Sequence, residues 1–221
     1  MENQYTLVKD ITTYKFPPKF IHPDYEPIYH EKWIPRMTSL LKDIIGKPNT
    51  VGIEIGTNYG GFSTWCLTSI LTNPTSHLYT IDILTNKYIE NNLSPYKNVT
   101  FIQSLSEKAL RELTHNNQTE LFADFIYIDG CHFTKCVLED AVLSFSLLKY
   151  GGILAFDDYG WGIHTNDEQV KPKLGIDSFL ASYKGHYEIV EMGWQIYLRK
   201  IKCKYSTDEI KGNGGIGGTY D

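Results

Sequence analysis

Apolar residues recur along the chain with two spacings, one typical of strands and one typical of helices. Two short apolar and β-prone runs, Ile126–Asp129 and Ile153–Asp157, each end in an acid. Between them, apolar residues follow a helical spacing: Val137, Leu138, Ala141, Val142, Phe145 and Leu148. Gly151 and Gly152 end that helix. The pattern predicts a strand, a helix and a second, parallel strand, joined by a right-handed crossover.

The acids that follow these two strands are expected to lie close together. The carboxyl ends of neighbouring parallel strands share one edge of the sheet, where α/β proteins bind ligands. Asp129, Asp157 and Asp158 would meet there, with His132 one turn further on. Crowded carboxylates repel one another, and a bound cation is the usual remedy. Alternatively, Asp157 and Asp158 cap the following turn, and His132 is a structural hydrogen-bonding group at a helix start.

The same pattern predicts that the whole chain has three parts. An N-terminal unit, residues 1–48, combines a proline-rich irregular arm over 1–31 with an amphipathic cap helix over 32–45. The main domain is predicted over 49–203, and a flexible glycine-rich tail over 204–221. Within the domain the pattern predicts strands at 50–55, 78–83, 99–103, 187–192 and 195–200, and helices at 64–71, 105–113 and 176–183. A polar loop of unusual length runs from 161 to 173.

A glycine-rich turn, residues 56–63, follows the first strand and precedes a helix. Strand, glycine-rich turn and helix open the nucleotide-binding half of a doubly wound fold. Glu54 would be unfavourable beside a dinucleotide diphosphate but favourable beside a cationic sulfonium. Asp82, at the end of the second strand, is placed to hold ribose hydroxyls. The turn therefore favours S-adenosylmethionine (SAM) over a nicotinamide dinucleotide.

Composition and charge narrow the class of protein. The 221 residues suit one globular domain, and the net charge of −5 makes a nucleic-acid or anionic-membrane surface unexpected. No apolar run approaches the ~20 residues of a membrane span, and no signal peptide is expected at the N-terminus. Four cysteines form no CxxC pair, so reduced thiols and a cytoplasmic location are expected.

Three segments carry a more specific signal. Residues 54–64 hold the glycine-rich turn, 127–133 read Tyr-Ile-Asp-Gly-Cys-His-Phe, and 148–159 end in Gly-Gly-x-x-x-x-Asp-Asp-Tyr, with Asp140 between the last two. The chain resembles class I SAM-dependent methyltransferases over roughly residues 50–200. Within them it is most similar to small-molecule O-methyltransferases related to macrocin and other sugar-modifying enzymes. The resemblance implies a Rossmann-like α/β fold: a doubly wound sheet of seven strands, parallel except for one antiparallel strand at the C-terminal end.

The resemblance also implies roles for individual residues. The donor-binding set would be Glu54, Gly56, Thr57, Asn58, Gly60, Gly61, Ser63, Asp82, Ser104 and Asp129. The ligands of a Mg²⁺ ion would be Asp129, Asp157 and Asp158. Ser63 comes one residue later after Gly56 than in the family, so the glycine that contacts the donor is either Gly60 or Gly61. Some relatives carry an acid proposed as base where this chain has Cys131, and the base role moves to His132.

The expected reaction is methyl transfer from SAM to a hydroxyl of a sugar or other small molecule, with Asp129 and His132 as catalytic residues. Tyr159, Trp161 and His164 would line a loop over the acceptor. Two alternatives remain at this point: a metal-dependent enzyme of the same fold with another chemistry, such as hydroxylation, and a non-catalytic nucleotide-binding protein. The partner is a small-molecule acceptor, a sugar or glycan, and self-association of the chain is left open.

Overall fold

The computed structural model describes residue 20 and residues 27–117 and 121–203. Strands and helices alternate along them. The seven strands are β1 (Val51–Ile55), β2 (His77–Asp82), β3 (Val99–Gln103), β4 (Ala123–Ile128), β5 (Leu148–Phe156), β6 (Tyr187–Met192) and β7 (Ile196–Lys200). The helices are α1 (Pro27–Leu40), α2 (Gly61–Ser69), α3 (Lys87–Leu93), α4 (Ser106–Asn117), α5 (Thr134–Leu147) and α6 (Pro172–Ser182), with a short 3₁₀ helix at Glu168–Val170.

All seven strands form one sheet in the order β3-β2-β1-β4-β5-β7-β6. Strands β1 to β5 pair in parallel, and β7 runs antiparallel to both β5 and β6. β6 therefore has the same direction as the first five strands and forms one edge of the sheet. The predicted fold class, a mostly parallel Rossmann-like sheet with an antiparallel C-terminal strand, is confirmed.

Helices cover both faces of the sheet because the central strands are apolar on both sides. Along β4, Ile126 and Ile128 pack into one buried cluster with residues of α4, α5 and α6. The alternate residues Phe125 and Tyr127 pack into a second cluster with residues of α1, α2 and α3. Such two-sided burial is typical of parallel sheets, and it leaves the strand ends as the place where polar side chains gather.

The N-terminal region differs from the sequence expectation. Helix α1 begins at residue 27, inside the predicted irregular arm, and ends at Leu40 rather than at 45. A proline is tolerated in the first turn of a helix, where no backbone N–H is needed. The predicted apolar stripe is otherwise confirmed: Trp33, Met37 and Leu41 are buried. The rest of the arm, apart from residue 20, and the tail over 204–221 lie outside the described residues.

Two further differences concern a short helix without a sequence prediction and the segment that was predicted as a loop. Helix α3 was not predicted, although Asn86 caps it by accepting hydrogen bonds from the Tyr88 and Ile89 amides. The polar segment after Trp161 holds the 3₁₀ helix, and α6 begins at Pro172, four residues earlier than expected. Among the described helices, none combines the length and apolar character required to cross a membrane.

Candidate active site

The carboxyl ends of four parallel strands lie side by side. Three backbone hydrogen bonds join neighbouring ends: Gly56 N–H to Ile81 O (2.8 Å), Asp129 N–H to Ile55 O (2.8 Å) and Asp157 N–H to Ile128 O (2.9 Å). The residues that follow β2, β1, β4 and β5 therefore form one continuous edge, as the strand–helix–strand pattern predicts. Asp129 lies in the middle of it, between the glycine-rich turn and the Asp157–Asp158 pair.

The glycine-rich turn is pressed against the end of β4. Gly56 has a φ of 94°, and a Cβ placed there would lie 1.9 Å from the carbonyl oxygen of Asp129. No side chain fits such a position. Gly60 also has a positive φ, 79°, and its amide donates to Thr57 O (2.7 Å). Gly61 is the first residue of α2, so the turn ends with the helix N-terminus facing the shared edge.

Glu54 lies beneath this turn rather than at its surface. Its side chain is buried, and its Oε2 accepts hydrogen bonds from the hydroxyls of Ser63 and Thr80, the latter at 2.5 Å. Thr57 joins the same network through Thr80 (2.6 Å). Burial raises the pKa of Glu54 to about 8, against the partial opposition of these hydroxyl donors. Glu54, Thr57 and Ser63 were predicted to contact the methyl donor SAM. In the structure their side chains form one hydrogen-bond network with Thr80, which supports the turn from inside.

Asp82 links the turn to the end of β2. Its two carboxylate oxygens accept the backbone N–H groups of Asn58 (2.9 Å) and Leu84 (3.0 Å). The amide of Ser104 donates to the carbonyl of Asp82 (2.9 Å). Asn58, Asp82 and Ser104, three of the predicted donor-binding residues, therefore lie together. A carboxylate has about four lone-pair sites, so two remain on Asp82 for hydroxyl groups.

A cleft lies at this edge of the sheet, with Asp129, His132 and Asp158 among its lining residues. One ligand atom from each of these three residues lies within 4.8 Å of the others. His132 Nε2 is 3.1 Å from Asp158 Oδ2. Loss of hydration and repulsion by Asp157, Asp158 and Glu54 raise the pKa of Asp129 well above its usual range. This concentration of negative charge suits a divalent cation.

Asp157 also lines the cleft, but its carboxylate is held by the protein. It accepts hydrogen bonds from the Tyr127 hydroxyl, from Gln195 Nε2 (3.0 Å) and from the Asp158 amide (2.7 Å). Burial raises its pKa, and these donors oppose the increase. Of the three predicted metal ligands, the structure thus brings Asp129 and Asp158 together with His132, and gives Asp157 three protein partners.

The residues of the predicted acceptor loop do not all face the cleft. The Trp161 ring lies 4.4 Å from that of His132, centroid to centroid, and is 41% exposed. The Tyr159 hydroxyl instead donates to Asp177 (2.8 Å) on α6. His164 is exposed, Cys131 is partly buried beside His132, and Asp140 is buried on α5. Trp161 is therefore the loop residue in contact with the predicted base.

Sequence reasoning missed three side chains that hold the acids. Tyr127 and Gln195 bind Asp157, and the indole N–H of Trp194 donates to Asp158 Oδ1 at 3.1 Å. Trp194 and Gln195 belong to the hairpin between β6 and β7, which is far from the acids in sequence. The signal that could have found Trp194 is a large aromatic residue next to glycine in a tight turn.

Comparison with known proteins agrees with this geometry. The sequence model of a family described as a methyltransferase domain matches residues 53–159. The matched segment is a little under half of the 221 residues. It contains the glycine-rich turn and all three acids, and it runs from β1 to the residues that follow β5. A search of curated proteins gives no match to the chain.

Solved structures with this fold include MycE, a methyltransferase from the mycinamycin biosynthetic pathway. In its complex with Mg and SAH, MycE has a TM-score of 0.61 and 13% identity over 87% of the chain and 57% of MycE. Its complex with Mg, SAH and mycinamycin VI gives a TM-score of 0.60 at 15% identity, over 82% of the chain and 51% of MycE. A Corynebacterium glutamicum protein gives 0.57 at 16% identity, over 76% of the chain and 81% of that protein. The chain thus spans about half the length of MycE.

Proposed function

We propose that the chain is a SAM-dependent O-methyltransferase that methylates a hydroxyl group of a sugar or other small molecule. The observation that carries the proposal is the shared edge: the glycine-rich turn and Asp82 lie on one side of Asp129, and His132 and Asp158 on the other. A donor bound over the turn would direct its methyl group toward the acid cleft. MycE, which was crystallised with Mg, SAH and mycinamycin VI, supports a small-molecule acceptor.

The donor would bind along the turn. Its ribose hydroxyls would reach the remaining lone pairs of Asp82, with Ser104 near the adenine. Its carboxylate would face the N-terminus of α2 at Gly61, where the helix dipole favours an anion. The bare backbone at Gly56 and Gly60 allows close approach of the ligand. Asp129 would lie near the sulfonium, whose positive charge a carboxylate stabilises.

A divalent cation, Mg²⁺ in our proposal, would be held by Asp129 and Asp158. Bound Mg²⁺ would lower the pKa of the acceptor hydroxyl and fix its direction. Mg²⁺ prefers oxygen ligands to imidazole, so His132 is assigned the base role. Asp157 would act by holding the Asp158 amide.

His132 would take the acceptor proton at a defined atom. Because Nε2 faces Asp158 Oδ2 at 3.1 Å, the proton of the neutral imidazole resides on Nε2. Nδ1 then carries the lone pair that accepts the hydroxyl proton. Asp158 thereby orients the imidazole of the base.

A methyl-transfer assay with labelled SAM and a panel of sugars, glycosides and phenols tests this function. We expect SAH release with a hydroxylated acceptor, loss of turnover in EDTA and its return with Mg²⁺. Absence of both SAM and SAH binding would contradict the methyltransferase assignment. Turnover that survives full chelation would contradict the metal.

Substitutions at the cleft test the assigned roles. We expect Asp129→Asn and His132→Gln each to lower kcat by about 10² to 10⁴, the range typical of general base catalysis, with SAH affinity retained in His132→Gln. His115→Gln is the matched control, because His115 is exposed in the last turn of α4. Wild-type turnover of His132→Gln would remove the base assignment.

A further inference from the structure

The turn between β6 and β7 adjoins the acid cleft on the β7 side of β5. Because β7 lies beside β5, the start of β7 adjoins the end of β5, where the acids are. The amide of Tyr159 donates to the carbonyl of Trp194 (2.9 Å), which fixes the hairpin turn to the loop that follows Asp158. The turn itself is closed by the Gly193 amide and the Gln195 carbonyl (2.9 Å).

Two adjacent residues of this turn hold two adjacent acids. The Trp194 indole N–H donates to Asp158 Oδ1 (3.1 Å), and the Gln195 amide donates to Asp157 Oδ2 (3.0 Å). Asp158 has a φ of 57°, a left-handed conformation that is uncommon for a residue other than glycine. Its amide is tied to Asp157 Oδ1. The hairpin turn therefore fixes both the backbone and the side chain of Asp158.

The Trp194 ring has no large burial to account for its position, since it is 54% exposed. It rests on the bare backbone of Gly160, where an added Cβ would lie 2.8 Å from the ring atom Cε3. That contact aligns the indole N–H with Asp158 Oδ1 and leaves Oδ2 directed toward His132. Of the two carboxylate oxygens of Asp158, Oδ1 thus accepts the Trp194 indole N–H and Oδ2 faces His132.

We propose that Trp194 is a positioning residue for the acid cleft: its indole N–H holds Asp158 Oδ1, so that Oδ2 faces His132 and would be available to a cation held by Asp129 and Asp158. The inference rests on the proposed function. When a hydrogen-bond partner of a metal-binding side chain is removed by mutation, metal affinity typically falls by about 10-fold to 100-fold. The donor site lies over β1 and β2, so loss of this contact should affect cation binding and leave SAH binding intact.

Trp194→Phe tests the inference, because phenylalanine keeps an aromatic side chain beside Gly160 but has no N–H to donate to Asp158. We expect the Kd for Mn²⁺, measured by electron paramagnetic resonance as a probe of the Mg²⁺ site, to rise by about 10-fold or more. SAH affinity by calorimetry and Tm should stay near the wild-type values. Gly160→Ala, which displaces the ring, should raise the Mn²⁺ Kd in the same direction.

Tyr150→Phe is the control, because Tyr150 is exposed near the start of β5, at the opposite edge of the sheet from the acids. Its Mn²⁺ Kd should equal that of the wild type. An unchanged Mn²⁺ Kd in Trp194→Phe, with wild-type SAH binding, would overturn the positioning role alone. Failure of the wild-type chain to bind SAH would contradict the proposed function. A wild-type chain that binds SAH but no Mn²⁺ would contradict the metal and, with it, this inference.

Discussion

Glu54 is a residue whose place followed from the sequence but whose hydrogen-bond partners did not. The sequence places it at the end of a strand before a glycine-rich turn, and the structure agrees. Its partners, the Ser63 and Thr80 hydroxyls, come from α2 and β2. A linear pattern could not indicate them, because contacts between separate elements depend on the packing of the sheet. For the same reason Tyr127 was read as part of a motif but not as a partner of Asp157.

Burial of Glu54 predicts a pH-dependent stability. Its pKa rises from 4.5 to about 8 on folding, so the folded chain keeps a proton that the unfolded chain releases. The free energy of unfolding should therefore fall as pH rises from about 4.5 to about 8, with Glu54 contributing roughly 4 kcal/mol to the change. Urea unfolding at several pH values measures it.

Glu54→Gln should remove that contribution, because the amide is neutral at every pH in the range. The difference between wild type and variant isolates Glu54 from other buried acids such as Asp140, whose pKa burial raises to about 7. Glu112→Gln, an exposed change on α4, is the control. Parallel pH profiles for wild type and Glu54→Gln would show that the carboxyl titrates normally.

At the level of elements, some strand limits were predicted to the residue and others were wrong. β5 begins at Leu148, five residues before its predicted start, and it contains Gly151 and Gly152, which were predicted to end helix α5. β3 was predicted over 99–103 and matches the structure, and β6 matches at 187–192. Short apolar runs bounded by polar residues define strands locally. Helix α1 begins at Pro27, five residues before the predicted start at 32. The prediction excluded a helix from the proline-rich segment, but proline is tolerated at the first position of a helix. Helix α3 escaped notice because it has only seven residues and a weak apolar period.

The contact between the glycine-rich turn and the end of β4 can be tested with two glycines of similar backbone conformation. Gly56→Ala places a Cβ 1.9 Å from Asp129 O, whereas Gly151, with a φ of 84°, has nothing within 4 Å of an added Cβ. We expect Gly151→Ala to cost only about 1 to 2 kcal/mol, the penalty of the left-handed conformation. Gly56→Ala should cost more and should also weaken SAH binding.

Chemical denaturation and calorimetry of the two variants measure both effects. Because both positions have a positive φ, the difference between them reports the collision with the β4 end. Equal loss of stability in the two variants would mean that the turn can move away from Asp129 without cost.

On the scale of the whole molecule, the fold class followed from the alternation of elements, whereas the contents of the cleft followed only in part. Asp129, His132 and Asp158 were brought together by strand order, which the sequence could predict. The hairpin that holds them was predicted as a pair of strands, but its position beside β5 depends on β7 entering the sheet between β5 and β6. No local pattern carries that order.

Donor binding should stabilise the whole molecule, because the turn, β2 and β4 all meet at the proposed site. A ligand present at 100 times its Kd adds about 2.7 kcal/mol. For a chain of this size the Tm should rise by roughly 5 to 10 °C. Thermal unfolding with SAH measures the shift, with adenosine diphosphate as a control ligand. Equal shifts with both would argue against a sulfonium-type donor site.

The internal place of β7 has a consequence for biosynthesis. A ribosome releases residues 148–156 well before residues 196–200, so β5 emerges with one side unpaired. The unpaired N–H and C=O groups of its edge then resemble those of the exposed strands that promote aggregation. Trp194 and Gln195 arrive with that last strand. During synthesis, the second side of β5 would become paired and the acid cleft would become ordered at the same late step. A chain that ends before β7 through premature termination would have neither.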